Sequence, residues 1–170
     1  VVQAHEAPPS PGLSALRAVR PGEPLKVLVI GAISRIKGFE VLLALARTVR
    51  EQGLNLEVSL LGFSPEDGRL AGQGVRLLGP YFDADLPERI KAAQPHLIWI
   101  PSIWPETYCY VLSAALRSGT QVAVFDLGAQ AERVRAHDER HLCLPLTLAD
   151  DPLALANALL AGSLSLSRTV

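Results

Sequence analysis

His96-Leu97-Ile98-Trp99-Ile100-Pro101-Ser102-Ile103-Trp104-Pro105-Glu106-Thr107-Tyr108-Cys109-Tyr110-Val111-Leu112 is the stretch from which the fold can be read. Its first five residues form an apolar run of strand-forming types and predict a buried strand. Val111 to Ser118 predicts a helix, and Gly119 closes it. Between the two stands a carboxylate, Glu106. In an open parallel sheet, ligands bind outside the carboxyl ends of the strands. Backbone N–H groups at a helix start favour anions there. On residue type alone Glu106 suits two roles: a structural cap for the helix, or an acceptor for ligand hydroxyls.

The same alternation extends in both directions. Upstream, Leu25–Ile30 predicts a first strand ending at Gly31. Phe39–Gln52 predicts a helix with Phe39, Leu42, Leu43, Ala46 and Val49 on one face and Gly53 as its stop. Leu56–Leu61 and Val75–Leu78 predict two more strands, with a polar, glycine-rich loop over Ser64–Gly74. Leu86–Gln94 predicts a short helix with Asp85 as N-cap and Pro87 in its first turn. Downstream, Gln121–Phe125 predicts a fifth strand and Ala131–Ala136 a short charged helix. His141–Leu146 predicts a weaker sixth strand. Asp151-Pro152 opens a last helix running to Ala161. Strands apolar on both faces, alternating with helices, describe a parallel sheet covered on each side. The expected fold is therefore α/β, a Rossmann-like, doubly wound parallel sheet of about six strands. Residues 1–24, rich in proline, glycine and alanine, are expected to be a linker or tail. Residues 25–162 make the domain, and 163–170 a frayed C-terminal tail.

Composition narrows the function classes. The 170 residues carry 16 Lys and Arg against 17 Asp and Glu, a net charge of −1. That balance gives no basic field for nucleic acid. No apolar run approaches the roughly 20 residues of a membrane span. Cys109 and Cys143 lie in different elements and are expected to be reduced thiols. The four histidines show no metal-ligand spacing. The chain begins with Val and contains no Met, so an excised part of a longer parent is expected. There is no G-x-S-x-G elbow for hydrolase chemistry. The acidic cluster and phospho-acceptor aspartate of a receiver domain are also missing.

Four places carry candidate chemistry. The Gly31–Gly38 loop joins the first strand to the first helix. It lacks the dinucleotide and P-loop patterns but holds Ser34 and two cations, Arg35 and Lys37, able to neutralise a diphosphate. Solvated loop charges are the plainer reading. The second place is the Glu106 turn, where Trp104 is open to three readings: core filling, a ligand wall or a partner contact. The third is Asp126-Leu127-Gly128-Ala129, with Asp126 either facing the cleft or capping the next helix. The fourth is the aromatic pairings Gly62-Phe63 and Tyr81-Phe82, each just after a strand.

With the Lys37-Gly38 helix start, Gly62, Gly79, Pro101-Ser102, Glu106, Gly119 and the Asp126–Ala129 turn in this order, the chain resembles the C-terminal, donor-binding domain of GT-B fold glycosyltransferases. The group is the glycogen synthase-like, retaining group 1. The Trp104–Tyr108 form looks like a bacterial polysaccharide-type subset. The resemblance implies a parent enzyme that transfers a sugar from a nucleotide-diphosphate sugar to an acceptor hydroxyl with retention, in polysaccharide or glycan synthesis. It implies no required cofactor or metal. It also implies that the acceptor-binding N-terminal domain belongs to the rest of the parent, so this part alone would be inactive. The expected location is cytoplasmic, with the inner face of the membrane as an option for the parent.

By the same resemblance, Lys37 would contact the donor diphosphate, with Gly31 and Arg35 on the same side. Glu106 would bind hydroxyls of the transferred sugar. The backbone of Tyr108, Cys109, Tyr110 and Val111 would meet sugar and phosphates. Three positions depart from the family pattern. The second glutamate of its spaced pair is Ala114, and the arginine upstream of the lysine is Ala32. Its Gly-aromatic-Gly run is Thr107-Tyr108-Cys109. The alternative reading is a non-catalytic binding or scaffold domain that keeps this half-fold.

Overall fold

The computed structural model describes residues 17–163. The elements are β1 (Leu25–Ala32), α1 (Phe39–Gln52), β2 (Leu56–Phe63), α2 (Asp67–Gly72), β3 (Arg76–Gly79), α3 (Leu86–Ala93), β4 (Leu97–Ile100), α4 (Tyr110–Arg117), β5 (Gln121–Phe125), α5 (Gly128–His137), β6 (Leu142–Leu144) and α6 (Pro152–Gly162). Two 3₁₀ turns, Asp83–Asp85 and Leu146–Asp150, lie before α3 and α6. One six-stranded sheet runs in the order β3-β2-β1-β4-β5-β6, with every pairing parallel. The α/β, doubly wound expectation stands.

The two-sided apolarity of the strands explains the layers. Successive residues of a strand point to opposite faces. Val27, Val29, Leu97, Trp99, Ala123 and Phe125 therefore share one core cluster with α1 and α6. Their neighbours Leu28, Ile30, Ile98, Ile100, Val122 and Val124 share the other with α3, α4 and α5. Each aliphatic side chain buried in this way contributes about 1.5–3 kcal/mol. At the N-terminal end of the sheet, two buried histidines complete ladder bonds. His96 Nδ1 accepts the Lys26 N–H at 2.8 Å, and His141 Nδ1 accepts the Val122 N–H at 3.0 Å.

Several boundaries differ from the sequence expectation. Asp85 stands at the N-cap position of α3 but does not cap it. It ends a 3₁₀ turn, and its side chain makes no capping bond. Asp151 does cap α6, accepting the Ala154 N–H at 3.0 Å. The Ser64–Gly74 loop contains α2, started by Ser64, whose N–H and hydroxyl both donate to Asp67 Oδ1. The sixth strand is shorter than expected because Pro145 leads into a 3₁₀ turn. Before β1, Arg17 pairs with Glu23 and meets His96, and Val19 packs on the core. Residues 1–16 and 164–170 lie outside the described residues. Among the described residues, no helix is long and apolar enough to cross a membrane.

Strand order places the site. The chain starts in the middle of the sheet, runs outward to β3, then returns to lay β4 on the free side of β1. From β1 it passes to α1 on one face, and from β4 to α4 on the other. The loops after β1 and β4 diverge, and a crevice opens between them at this switch point.

Candidate functional site

Two loops close on each other across that crevice. Gly38 begins α1 with φ +93°, and a Cβ there would sit 2.1 Å from the Pro101 carbonyl oxygen. Only glycine permits both the left-handed backbone and the approach. Beside it, the Ile103 N–H donates to Ile36 O at 3.1 Å. The two loops are thereby held in register, and Lys37 faces Glu106 although 69 residues separate them.

Lys37 Nζ lies 3.4 Å from Glu106 Oε1 and 3.5 Å from Oε2. The Glu106 side chain is only 15% exposed, whereas Lys37 is 43% exposed. Beneath them Ser102 is buried, with its Oγ 3.0 Å from Glu106 Oε1, 3.1 Å from Trp104 O and 3.4 Å from Ile36 O. One hydroxyl proton serves one acceptor at a time, and the charged oxygen is both nearest and strongest. Glu106 is thus a fixed carboxylate with a lysine on its open side. The pocket they share has a volume of about 100 Å³ and is also lined by Gly31, Tyr81, Cys109 and Val111. It adjoins a hollow of about 190 Å³ at Gly31, Ala32 and Tyr81, whose far wall includes Gly62 and Phe63.

The helix cap is a different residue. The N-cap of α4 is Cys109, whose Sγ accepts the Leu112 N–H at 3.4 Å. Glu106 therefore does not cap α4; its carboxylate is held by Ser102 and Lys37. Burial pushes the Cys109 thiol up. The Leu112 hydrogen bond and the charges of Lys37 and Arg133 pull against it, and Glu106 adds to it. The N–H groups of Tyr110 and Val111 lie in the first turn of α4, beyond the reach of the helix's own carbonyls.

The other sequence candidates divide. Arg35 is exposed and is not among the residues lining the pocket. Trp104 is 60% exposed, which rules out core filling. Asp126 neither caps α5 nor enters the pocket. It pairs with Arg135 at 2.6 Å, and α5 begins without a side-chain cap. Phe63 and Tyr81 wall the second hollow, while Phe82 stands in solvent. Tyr108 and Tyr110 have exposed rings that meet edge-on at 4.7 Å. Ala114 is buried in the apolar cluster of α3 and α4 and is not part of the Glu106 pocket. Among the described residues there is no group of three or more His, Cys, Asp or Glu side chains able to hold a metal ion.

Sequence reasoning missed the part played by Arg133. Its guanidinium reaches the Cys109 carbonyl at 3.3 Å and the Ser113 hydroxyl at 2.7 Å, and it lies 5.5 Å from the centre of the Tyr108 ring. Nothing in the charged run of α5 distinguishes it from Arg135. Only the helix's rotation against the sheet does.

A six-stranded parallel sheet of this order, with a lysine and a carboxylate meeting at the switch point, places the chain among Rossmann-like α/β proteins that bind at their strand ends. The chain belongs to the group 1 glycosyltransferases: that family's model, "Glycosyl transferases group 1", matches residues 24–162. No curated protein sequence matches it. Solved structures share the fold. Sucrose-phosphate synthase from Thermosynechococcus elongatus superposes with a TM-score of 0.63 at 22% identity, over 95% of this chain and 45% of that one. Anabaena Alr3699/HepE in complex with UDP and glucose gives 0.60 at 19%, over 86% and 42%. An S. aureus TarM variant in complex with fondaparinux, alpha-GlcNAc-glycerol and UDP gives 0.60 at 15%, over 91% and 33%. The chain therefore spans between a third and just under half of these three proteins.

Proposed function

We propose that this chain is the donor-binding half of a retaining glycosyltransferase, taking a nucleotide-diphosphate sugar and presenting it for transfer to an acceptor hydroxyl in polysaccharide or glycan synthesis. The observation that carries this reading is the meeting of Lys37 and Glu106 across the switch-point pocket. In the proposed complex Lys37 neutralises the diphosphate, as the first-turn N–H groups of α4 do from the other side. Positive charge aimed at the leaving phosphates lowers the barrier as negative charge develops there. Glu106, fixed by Ser102, accepts hydroxyls of the sugar. Gly31 completes the donor side of the pocket, Arg35 would have to reach the diphosphate from the exposed side of the same loop, and the backbone from Tyr108 to Val111 faces sugar and phosphate. The acceptor is held by an N-terminal domain of the parent, so the chain alone is inactive. UDP in the complexes of HepE and TarM makes a uridine donor the first to test.

A second reading is favoured by Ala32, Ala114 and the small volume of the pocket, well below the ~300 Å³ usual for ligand sites. It is a scaffold domain that has kept the half-fold and lost the donor. Calorimetric titration with UDP-, GDP- and dTDP-sugars separates the two. Under the donor reading one of them binds, and Lys37→Ala and Glu106→Ala both abolish binding. A folded chain that binds none of the three refutes it.

A further inference from the structure

The β4–α4 turn is held from outside the pocket as well as from within. Two residues of α5 do this. At the helix's start, Gly128 adopts φ +58°, and a Cβ there would approach Pro105 Cβ to 3.1 Å and the Glu106 nitrogen to 4.0 Å. One and a half turns later, Arg133 forks onto α4. One nitrogen donates to the Cys109 carbonyl at 3.3 Å, the other to the Ser113 hydroxyl at 2.7 Å. Its plane covers the Tyr108 ring at 5.5 Å. All three contacts fall on residues 108–113, the segment that carries the first-turn N–H groups. Arg133 itself does not line the pocket.

We infer that Arg133 is a positioning residue, clamping the start of α4 so that the Tyr110 and Val111 N–H groups and Glu106 keep one geometry toward a bound diphosphate sugar. The inference rests on the donor-site reading. Its physical ground is the rigid guanidinium fork, which reaches two acceptors and a ring face from one preorganised plane, a geometry an ammonium on a flexible stem does not fix. The fork is also needed here. The cap that Thr107-Tyr108-Cys109 supplies is a thiol, a weak acceptor at 3.4 Å. Apart from the packing of Gly128 on Pro105, which lies before this segment, Arg133 adds to that weak cap and the Tyr108–Tyr110 contact as a restraint on residues 108–113.

The test compares Arg133→Met, Arg133→Lys and Ser113→Ala with the parent chain, using UDP as probe and amide hydrogen exchange as an independent readout. Arg133→Met is expected to weaken UDP binding about tenfold, the worth of one charge-assisted hydrogen bond. It should also speed exchange at Tyr110–Leu112 while leaving β1 and β5 amides unchanged. Arg133→Lys keeps the charge and one bond and should recover part of the affinity; Ser113→Ala, which removes one acceptor, should fall between. A purely structural residue would lower the melting temperature without this graded rescue. UDP affinity within twofold of the parent in Arg133→Met, or unchanged exchange at Tyr110–Leu112, overturns the clamp. If the parent chain binds no UDP, the comparison is run with whichever of GDP or dTDP it binds; if it binds none of the three, the donor-site reading fails first, and the positioning role falls with it. The exchange comparison then still decides whether Arg133 restrains the turn.

Discussion

Replacing Gly38 with alanine tests the contact on which the site depends. The new Cβ would lie 2.1 Å from Pro101 O, 2.7 Å from its carbonyl carbon and 2.8 Å from its Cβ. Real Cβ atoms essentially never approach closer than 3.0 Å, so the two loops must part by roughly 0.9 Å, a large shift in a close-packed interior. Three costs add. A non-glycine residue at φ +93° costs about 1–2 kcal/mol. Residual crowding against a rigid proline costs about another 1–2 kcal/mol. Stretching the Ile103–Ile36 hydrogen bond removes up to ~1 kcal/mol. The expected total is about 3 kcal/mol, or about 10 °C in melting temperature for a domain of this size. Gly74→Ala is the matched control. Its φ is +89°, with nothing within 4 Å of the added carbon, so it carries the backbone strain alone. Urea unfolding of both variants, followed by far-UV circular dichroism, gives the difference directly. Gly38→Ala should be less stable than Gly74→Ala by about 2 kcal/mol. A difference under ~0.5 kcal/mol would refute the close-approach reasoning.

Four further outcomes are expected. His141, held neutral in the fold with its pKa lowered to about 4 by burial and by His137, binds a proton more readily when unfolded. Stability should therefore be intact above pH 6.5 and fall by about 3 kcal/mol between pH 6.5 and 4; urea midpoints across that range should show the loss, and His141→Gln should flatten it. Asp151→Ala removes the acceptor for the Ala154 N–H and should cost about 1 kcal/mol in the same unfolding assay. Cys109→Ser keeps a cap for Leu112 while Cys109→Ala loses it, so the serine variant should be the more stable by about 1 kcal/mol. Glu106→Gln removes the negative charge beside Lys37 and should tighten binding of UDP while weakening that of UDP-sugar, a reversal that calorimetry reads directly.

The fold was legible because its signals are collective. Six apolar runs alternate with amphipathic segments, and no single misplaced boundary changes the count or the parallel direction. The errors fall where one residue decides. Asp85 carries the right side chain for an N-cap, but a 3₁₀ turn ending on it denies it the capping geometry. At the site, residues that act through position along the chain, such as Lys37 after β1 and Glu106 after β4, could be proposed from the strand–helix alternation. Those that act through rotation of a helix could not. Arg133 and Arg135 are two residues apart in one charged run, yet one grips α4 and the other pairs with Asp126. Cys109 was equally hidden, since a thiol ranks low among capping side chains. Its role shows only once the Leu112 N–H is seen to have no better acceptor.

The two alanines that depart from the family pattern bear differently on the site. Ala114 lies among the apolar side chains between α3 and α4, beside Arg117 and Ser118 along a cavity of about 530 Å³. It does not leave a gap in the Glu106 pocket. Ala32, by contrast, lines both that pocket and the adjoining hollow, where a longer side chain would partly fill the space. What is retained includes Lys37, Glu106 and Ser102, tied to one another by contacts of 3.0–3.5 Å, and beside them the first turn of α4 with its own Cys109 cap. A lysine facing a nearly buried carboxylate contributes little stability when one partner is this exposed, so fold stability alone does not account for the pairing. The Lys37–Glu106 pair, with the carboxylate fixed by Ser102, is what the proposed donor site would use to hold a ligand at its phosphate and sugar end.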